Sequence, residues 1–120
     1  MRRSRILVVE DDEGVREALS LILDIEGYEA IAASNGAEAL RLLETIEPPC
    51  LILLDLMMPI MDGWTLAAQL EKDARLSSIP IVFLTAFAER ATPLSKSHRV
   101  IRKPVDTHLL MTIVQQHCRS

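Results

Sequence analysis

Aromatic side chains supply only 3% of this chain, so aliphatic groups must fill whatever core it has. Cysteine is almost absent. Cys50 and Cys118 have no metal-site spacing and read as free thiols of a reducing compartment, Cys50 half-buried at a strand entrance, with no disulfide expected between them. No apolar run approaches the ~20 residues that span a bilayer, which excludes membrane insertion by a helix. The basic start, Met1-Arg2-Arg3-Ser4-Arg5, precedes an apolar run too short for a signal peptide. A cytoplasmic location is therefore expected. Basic charge is not in excess either. The net charge is −4, which argues against direct nucleic-acid binding. There is no linker, low-complexity tract or internal repeat, and 120 residues suit one domain, taken as 1–120.

What the chain does have is alternation. Hydrophobic residues make up 49% of it, in short runs separated by amphipathic segments. Residues 6–9 read as a buried strand, and Val15, Ala18, Leu19, Ile22 and Leu23 follow at helical spacing up to Gly27. Residues 28–32 form a more polar strand, nearer an edge. Asn35-Gly36 turns the chain into a helix striped by Ala39, Leu40, Leu43 and Ile46, which Pro48-Pro49 stops. Residues 51–54 are the most apolar strand and so the central one. Gly63 opens a helix with Leu66, Ala67 and Leu70 inward. Strands follow at 79–84 and 100–102, and a last helix is capped by Asp106 or Thr107 with Leu109, Leu110, Ile113 and Val114 inward. Between Phe87 and Arg99 the periodicity is poor and Pro93 interrupts it, so a short or irregular fourth helix is expected there. A βα unit repeated five times implies a parallel sheet covered on both faces, with ligands held at the carboxyl ends of its strands.

The notable polar residues fall at those carboxyl ends. Glu10-Asp11-Asp12 follow the first strand, Asp55 ends the third, Thr85 the fourth and Lys103 the fifth. Acidic strand ends that converge repel one another unless a cation sits between them. The set predicts a divalent metal beside a carboxylate nucleophile. Plainer readings exist for each member. Asp favours turns, Asp11 and Asp12 suit a helix N-cap, and one of them can do both jobs. His98, His108 and His117 have no ligand spacing and read as surface groups, Met57, Met58 and Met61 as loop packing, and Trp64 as packing at the start of its helix.

Taken together, Glu10-Asp11-Asp12, the Asp55 segment Leu-Asp-Leu-Met-Met-Pro-Ile-Met-Asp-Gly, Thr85-Ala86 and Lys103-Pro104 resemble, in order and over essentially the whole chain, the response-regulator receiver domains of two-component signalling. The resemblance implies a three-layer, doubly wound (βα)5 fold of flavodoxin-like strand order 2-1-3-4-5. It implies that Asp55 accepts a phosphoryl group from a histidine kinase or histidine phosphotransfer protein. Mg2+ would be held by Asp11, Asp12, Asp55 and the backbone carbonyl of Met57. Lys103 and Thr85 would contact the phosphoryl oxygens. A cis Lys103-Pro104 peptide would aim the ammonium into the pocket. Output would pass to a downstream protein or to an effector domain that this chain does not contain, with no external substrate turned over.

The chain also departs from the family pattern. Val100 stands where an aromatic usually precedes the lysine by three positions, which puts the usual Thr–aromatic switch in question. The segment between Thr85 and Lys103 is shorter than usual, and Ser97-His98-Arg99 replaces a Gly-Ala turn. Met57 and Phe87 flank the pocket, and two apolar side chains there should impede hydrolytic water and lengthen the phospho-state. Two other readings compete. A haloacid-dehalogenase-type phosphatase shares the strand-end Asp and Mg2+, but Met57 stands where its second Asp would be. A degenerate receiver would act as a scaffold without phosphate.

Overall fold

The computed structural model describes residues 3–86 and 99–119. Among them are five strands, β1 (Arg5–Val9), β2 (Glu29–Ala33), β3 (Leu51–Asp55), β4 (Ile81–Thr85) and β5 (Arg99–Arg102), and four helices, α1 (Glu13–Ile25), α2 (Gly36–Thr45), α3 (Gly63–Glu71) and α4 (Thr107–His117). All strand pairs are parallel, and the order is β2-β1-β3-β4-β5. This is the doubly wound fold expected. The irregular helix expected between β4 and β5, with Phe87, Pro93, Ser97 and His98, lies outside the described residues.

Strand alternation sorts the core into two clusters, one per face. Leu7, Val9, Ile52, Leu54 and Phe83 meet α2 and α3 through Ala39, Leu43, Leu66, Ala67 and Leu70. Ile6, Val8, Leu51, Leu53, Val82 and Leu84 meet α1 and α4 through Leu19, Leu23, Leu110, Ile113 and Val114. β3 is buried along its whole length, as its composition predicts, and β2 is an edge. Leu109 departs from expectation at 41% exposed. A helix lying on a sheet buries a limited stripe, and Leu109 falls at its margin. Ala18 is likewise exposed.

Local signals set the helix ends. Asp12, Asn35, Asp62 and Asp106 are N-caps whose side chains accept amide protons from Val15, Glu38, Thr65 and His108. Gly27, at φ 96°, turns the chain out of α1 in a conformation that costs glycine least. Arg75 donates to the carbonyls of Leu43 (2.8 Å) and Ile46, satisfying the end of α2.

The cysteines overturn the free-thiol expectation. Cys50 and Cys118, 68 positions apart in sequence, form a disulfide with Cα atoms 5.6 Å apart. In a doubly wound fold every strand begins, and every helix ends, at the amino edge of the sheet. Cys50 immediately precedes β3 and Cys118 caps α4, so topology brings them together. Spacing along the chain carries no trace of that. Cys50 is half-buried, as expected.

Candidate functional site

Strand order reverses between β1 and β3, and a cleft of about 240 Å³ opens at their carboxyl ends. Glu10, Asp11, Asp12, Asp55, Met57, Ala86 and Lys103 line it.

The Glu10 amide donates to the Ala33 carbonyl at 3.0 Å, prolonging the β1–β2 ladder by one residue. Its side chain is thereby drawn fully inside, at 0% exposed. Asp11 and Asp12 are exposed at the mouth of the cleft. Asp12 Oδ1 accepts from the Val15 amide at 2.9 Å, and the Arg16 guanidinium donates to the Glu10 carbonyl at 2.8 Å, tying α1 back to the strand.

Asp55 ends β3 at 3% exposed, and Met57 N donates to its Oδ1 at 3.4 Å. The loop beyond it is pressed against α3. A Cβ on Gly63 would stand 2.6 Å from the Asp55 carbonyl oxygen, so that position tolerates no side chain. Between them, Met61 N donates to the Pro59 carbonyl at 2.7 Å across Ile60, whose φ is 71°. An i-to-i+2 bond around a positive φ is the strained form of the γ-turn, and a β-branched residue suits it poorly. Ile60 is nevertheless 82% exposed, so burial does not hold it there.

β5 delivers Lys103, whose amide donates to the Thr85 carbonyl at 2.9 Å, and the Lys103-Pro104 peptide is cis. Lys103 Nζ lies 2.8 Å from Glu10 Oε2 and 3.3 Å from Asp55 Oδ1. Thr85, 1% exposed, ends β4 beside them.

Carboxylate oxygens of Glu10, Asp11 and Asp55 all come within 4.8 Å of one another. Three carboxylates thus face one ammonium. Burial, reinforced by the Glu10 charge and only partly offset by Lys103, pushes the Asp55 carboxyl up to about 7. Burial alone would lower the Lys103 ammonium, but its bond to Glu10 and the Asp55 charge outweigh it and the net shift is upward.

The structure thus brings Asp11, Asp55, Met57 and Lys103 into one cleft, while Thr85 is buried at the end of β4, one residue before Ala86, which lines it. Asp12 lines the cleft but lies outside the three-carboxylate group, its Oδ1 spent on the α1 cap. Glu10, which the sequence reading left without a role of its own, takes the third place. Three consecutive acids leave the end of a strand ambiguous. Val100 packs half-buried against the α2–α3 cluster, Pro104 is exposed, and Phe87 lies outside the described residues. His108 and His117 are exposed and Trp64 packs against the core, as expected.

Such a site sets a buried carboxylate, hard oxygen donors and a fixed ammonium together on one doubly wound sheet. The chain belongs to the response regulator receiver domain family, whose model matches residues 6–115. It is similar to the probable transcriptional regulator ycf27 of Porphyra purpurea, 44% identical over 88 residues, which are 73% of this chain and 35% of that protein. It is also similar to an uncharacterized 14.6 kDa protein in the sodA1 3' region of Leptolyngbya boryana, 38% identical over 94% of this chain and 88% of that one. Among solved structures, the signal receiver domain of a signal transduction histidine kinase from Syntrophus aciditrophicus superposes with a TM-score of 0.84 at 33% identity, covering 94% of this chain and 88% of that one. The chain spans about a third of the length of the ycf27 relatives it matches. It is a receiver domain of two-component response regulators. Among the described residues, no helix is long and apolar enough to cross a membrane.

Proposed function

We propose that Asp55 accepts a phosphoryl group from a histidine kinase or histidine phosphotransfer protein, and that the phosphorylated domain, 1–120, changes its protein contacts in the cytoplasm. The observation that carries this reading is the junction at Asp55. A buried carboxylate has Lys103 Nζ at 3.3 Å and the carboxylates of Glu10 and Asp11 around it.

The donor set fits Mg2+, since carboxylate oxygens suit a hard cation and three of them already converge with an unbalanced negative charge. Glu10 has Oε2 on Lys103 and Oε1 on the Asp12 amide at 3.2 Å. Asp11, Asp55 and the Met57 carbonyl would hold the ion directly, while Asp12 Oδ1 stays engaged in the helix cap. Bound there, Mg2+ would neutralise charge so that an anionic donor can approach.

The chain's own groups do the rest. An Asp55 oxygen bonds to phosphorus as the bond from phosphorus to the donor breaks and the donor departs with the electron pair, leaving an acyl phosphate on Asp55. Glu10, buried and unable to turn, holds the Lys103 ammonium where it can meet a phosphoryl oxygen. The Thr85 hydroxyl would hydrogen-bond a second oxygen. Phosphorylation adds about −1.5 to −2 charges, enough to rebias the loops around the cleft. Output passes to a protein partner or to an effector domain beyond this chain, without direct contact to nucleic acid.

Intact mass after incubation with acetyl phosphate and Mg2+ tests the reading. Wild type should gain one phosphoryl group, lose that gain when Mg2+ is chelated, and show none in Asp55→Asn. A gain that persists in Asp55→Asn would sink the assignment.

A further inference from the structure

The Cys50–Cys118 bridge stands at the amino edge of the sheet, the length of β3 from Asp55, and has no part in the chemistry above. Its two ends are unequally placed. Cys118 is 5% exposed, within the cluster under α4. Cys50 is half-buried and lines an open cleft of about 320 Å³ with Arg3, Ser4, Arg5, Glu47 and Pro48. A thiol in solution therefore reaches Cys50 and not Cys118. Cys50 Sγ also lies 3.2 Å from the Arg5 carbonyl, which can accept its proton once the bond is open. Leu110, Ile113 and Val114 are buried against the sheet without help from the bridge, so α4 keeps its seat when the bond is cut. What depends on it is the end of that helix, where Cys118 N bonds the Val114 carbonyl and the Arg119 carbonyl accepts from the Ser4 hydroxyl.

We propose that Cys50–Cys118 is a reversible redox site, opened by a dithiol that enters the cleft beside Cys50, and that its state sets how firmly the end of α4 is tied to β3. One thiolate of the reductant bonds to the Cys50 sulfur, and Cys118 leaves as a thiolate with the electron pair. The second thiolate then closes the reductant's own disulfide and releases Cys50. Both cysteines take up a proton, and the reductant loses two electrons. The oxidised dithiol reverses the sequence. The inference rests on the cytoplasmic location proposed above, where disulfides are as a rule transient and redox-sensing, but not on phosphorylation, so its test uses thiol reactivity and amide exchange, neither of which needs a phosphoryl donor.

The folded chain is equilibrated without denaturant in graded ratios of reduced to oxidised dithiothreitol, alkylated and weighed. The expected result is a reversible passage from no adduct to two, with amide exchange at residues 115–119 rising at least about tenfold on reduction while residues 6–9 do not change. In Cys118→Ser the remaining Cys50 should react with an aromatic disulfide reagent about tenfold faster than Cys118 does in Cys50→Ser. Two adducts at every ratio, or a bridge that resists excess reductant until denaturant is added, would overturn the proposal. So would unchanged exchange at 115–119, or equal or reversed reactivity of the two cysteines.

Discussion

At the carboxyl edge of the sheet Lys103 meets Glu10 at 2.8 Å, their side chains 20% and 0% exposed. At the amino edge Arg5 meets Glu29 at 3.3 Å, with 28% and 45% exposed. The chemistry of the two pairs is alike, and the solvent around them is not. In water the second pair is screened and contributes from nothing to about 1 kcal/mol. The first pair, with Glu10 fully buried, is screened less, so its charges act more strongly on whatever enters the cleft. The amino edge is held by a covalent bond and exposed ion pairs. The carboxyl edge is held by helix caps and a strained turn around charges that oppose one another. A charge becomes functional here through burial among others it cannot escape.

The hardest test of that contrast removes one cation from each edge. Lys103→Met should slow phosphorylation of Asp55 by acetyl phosphate about a hundredfold, the scale of losing one positioned charge-stabilising donor. It should also lower the melting temperature, because Glu10 loses its partner. Arg5→Met should leave the rate unchanged and shift stability by less than about 1 kcal/mol. Equal losses of rate in the two variants would erase the distinction.

Titration sharpens it further. With its carboxyl raised from 3.8 to about 7, Asp55 is protonated below neutrality and must release that proton to take a cation. Mg2+ affinity should therefore fall as pH falls, about tenfold between pH 8 and pH 6 for a single displaced proton. Calorimetry in buffers of different ionisation enthalpy would count the proton. An affinity flat across that range would show that Asp55 is already ionised.

The smallest effect concerns strain. Ile60→Gly should raise stability by about 1 kcal/mol, the gain from freeing a positive φ exceeding the entropy glycine adds to the unfolded chain. Chemical denaturation in the absence of Mg2+ measures it. A loss of stability would mean that the isoleucine is held by contacts that outweigh its backbone conformation.

Much of this was legible in the sequence because the signals were local. The five-residue buried strand ending in Asp55, the Asp106 cap and the acidic, Thr and Lys strand ends each need only a few neighbouring residues to be read. What escaped depends on relations across the chain. The disulfide joins residues 68 apart, and only the return of each helix to the amino edge brings them together. Glu10 escaped because its burial follows from a backbone bond to Ala33 on another strand. Leu109 escaped because stripe width is set by the sheet beneath and not by the helix itself.

Among the described residues, the two core clusters, one on each face of the sheet, share no residue. That separation makes two packing layers that should tolerate change independently. Substitutions under α1 and α4 meet neighbours under α2 and α3 only through strand backbone, so their energies should add. One layer should be replaceable from a distant relative while the other is left untouched, and a hybrid assembled that way would still bring the ends of β1, β3, β4 and β5 to the same cleft.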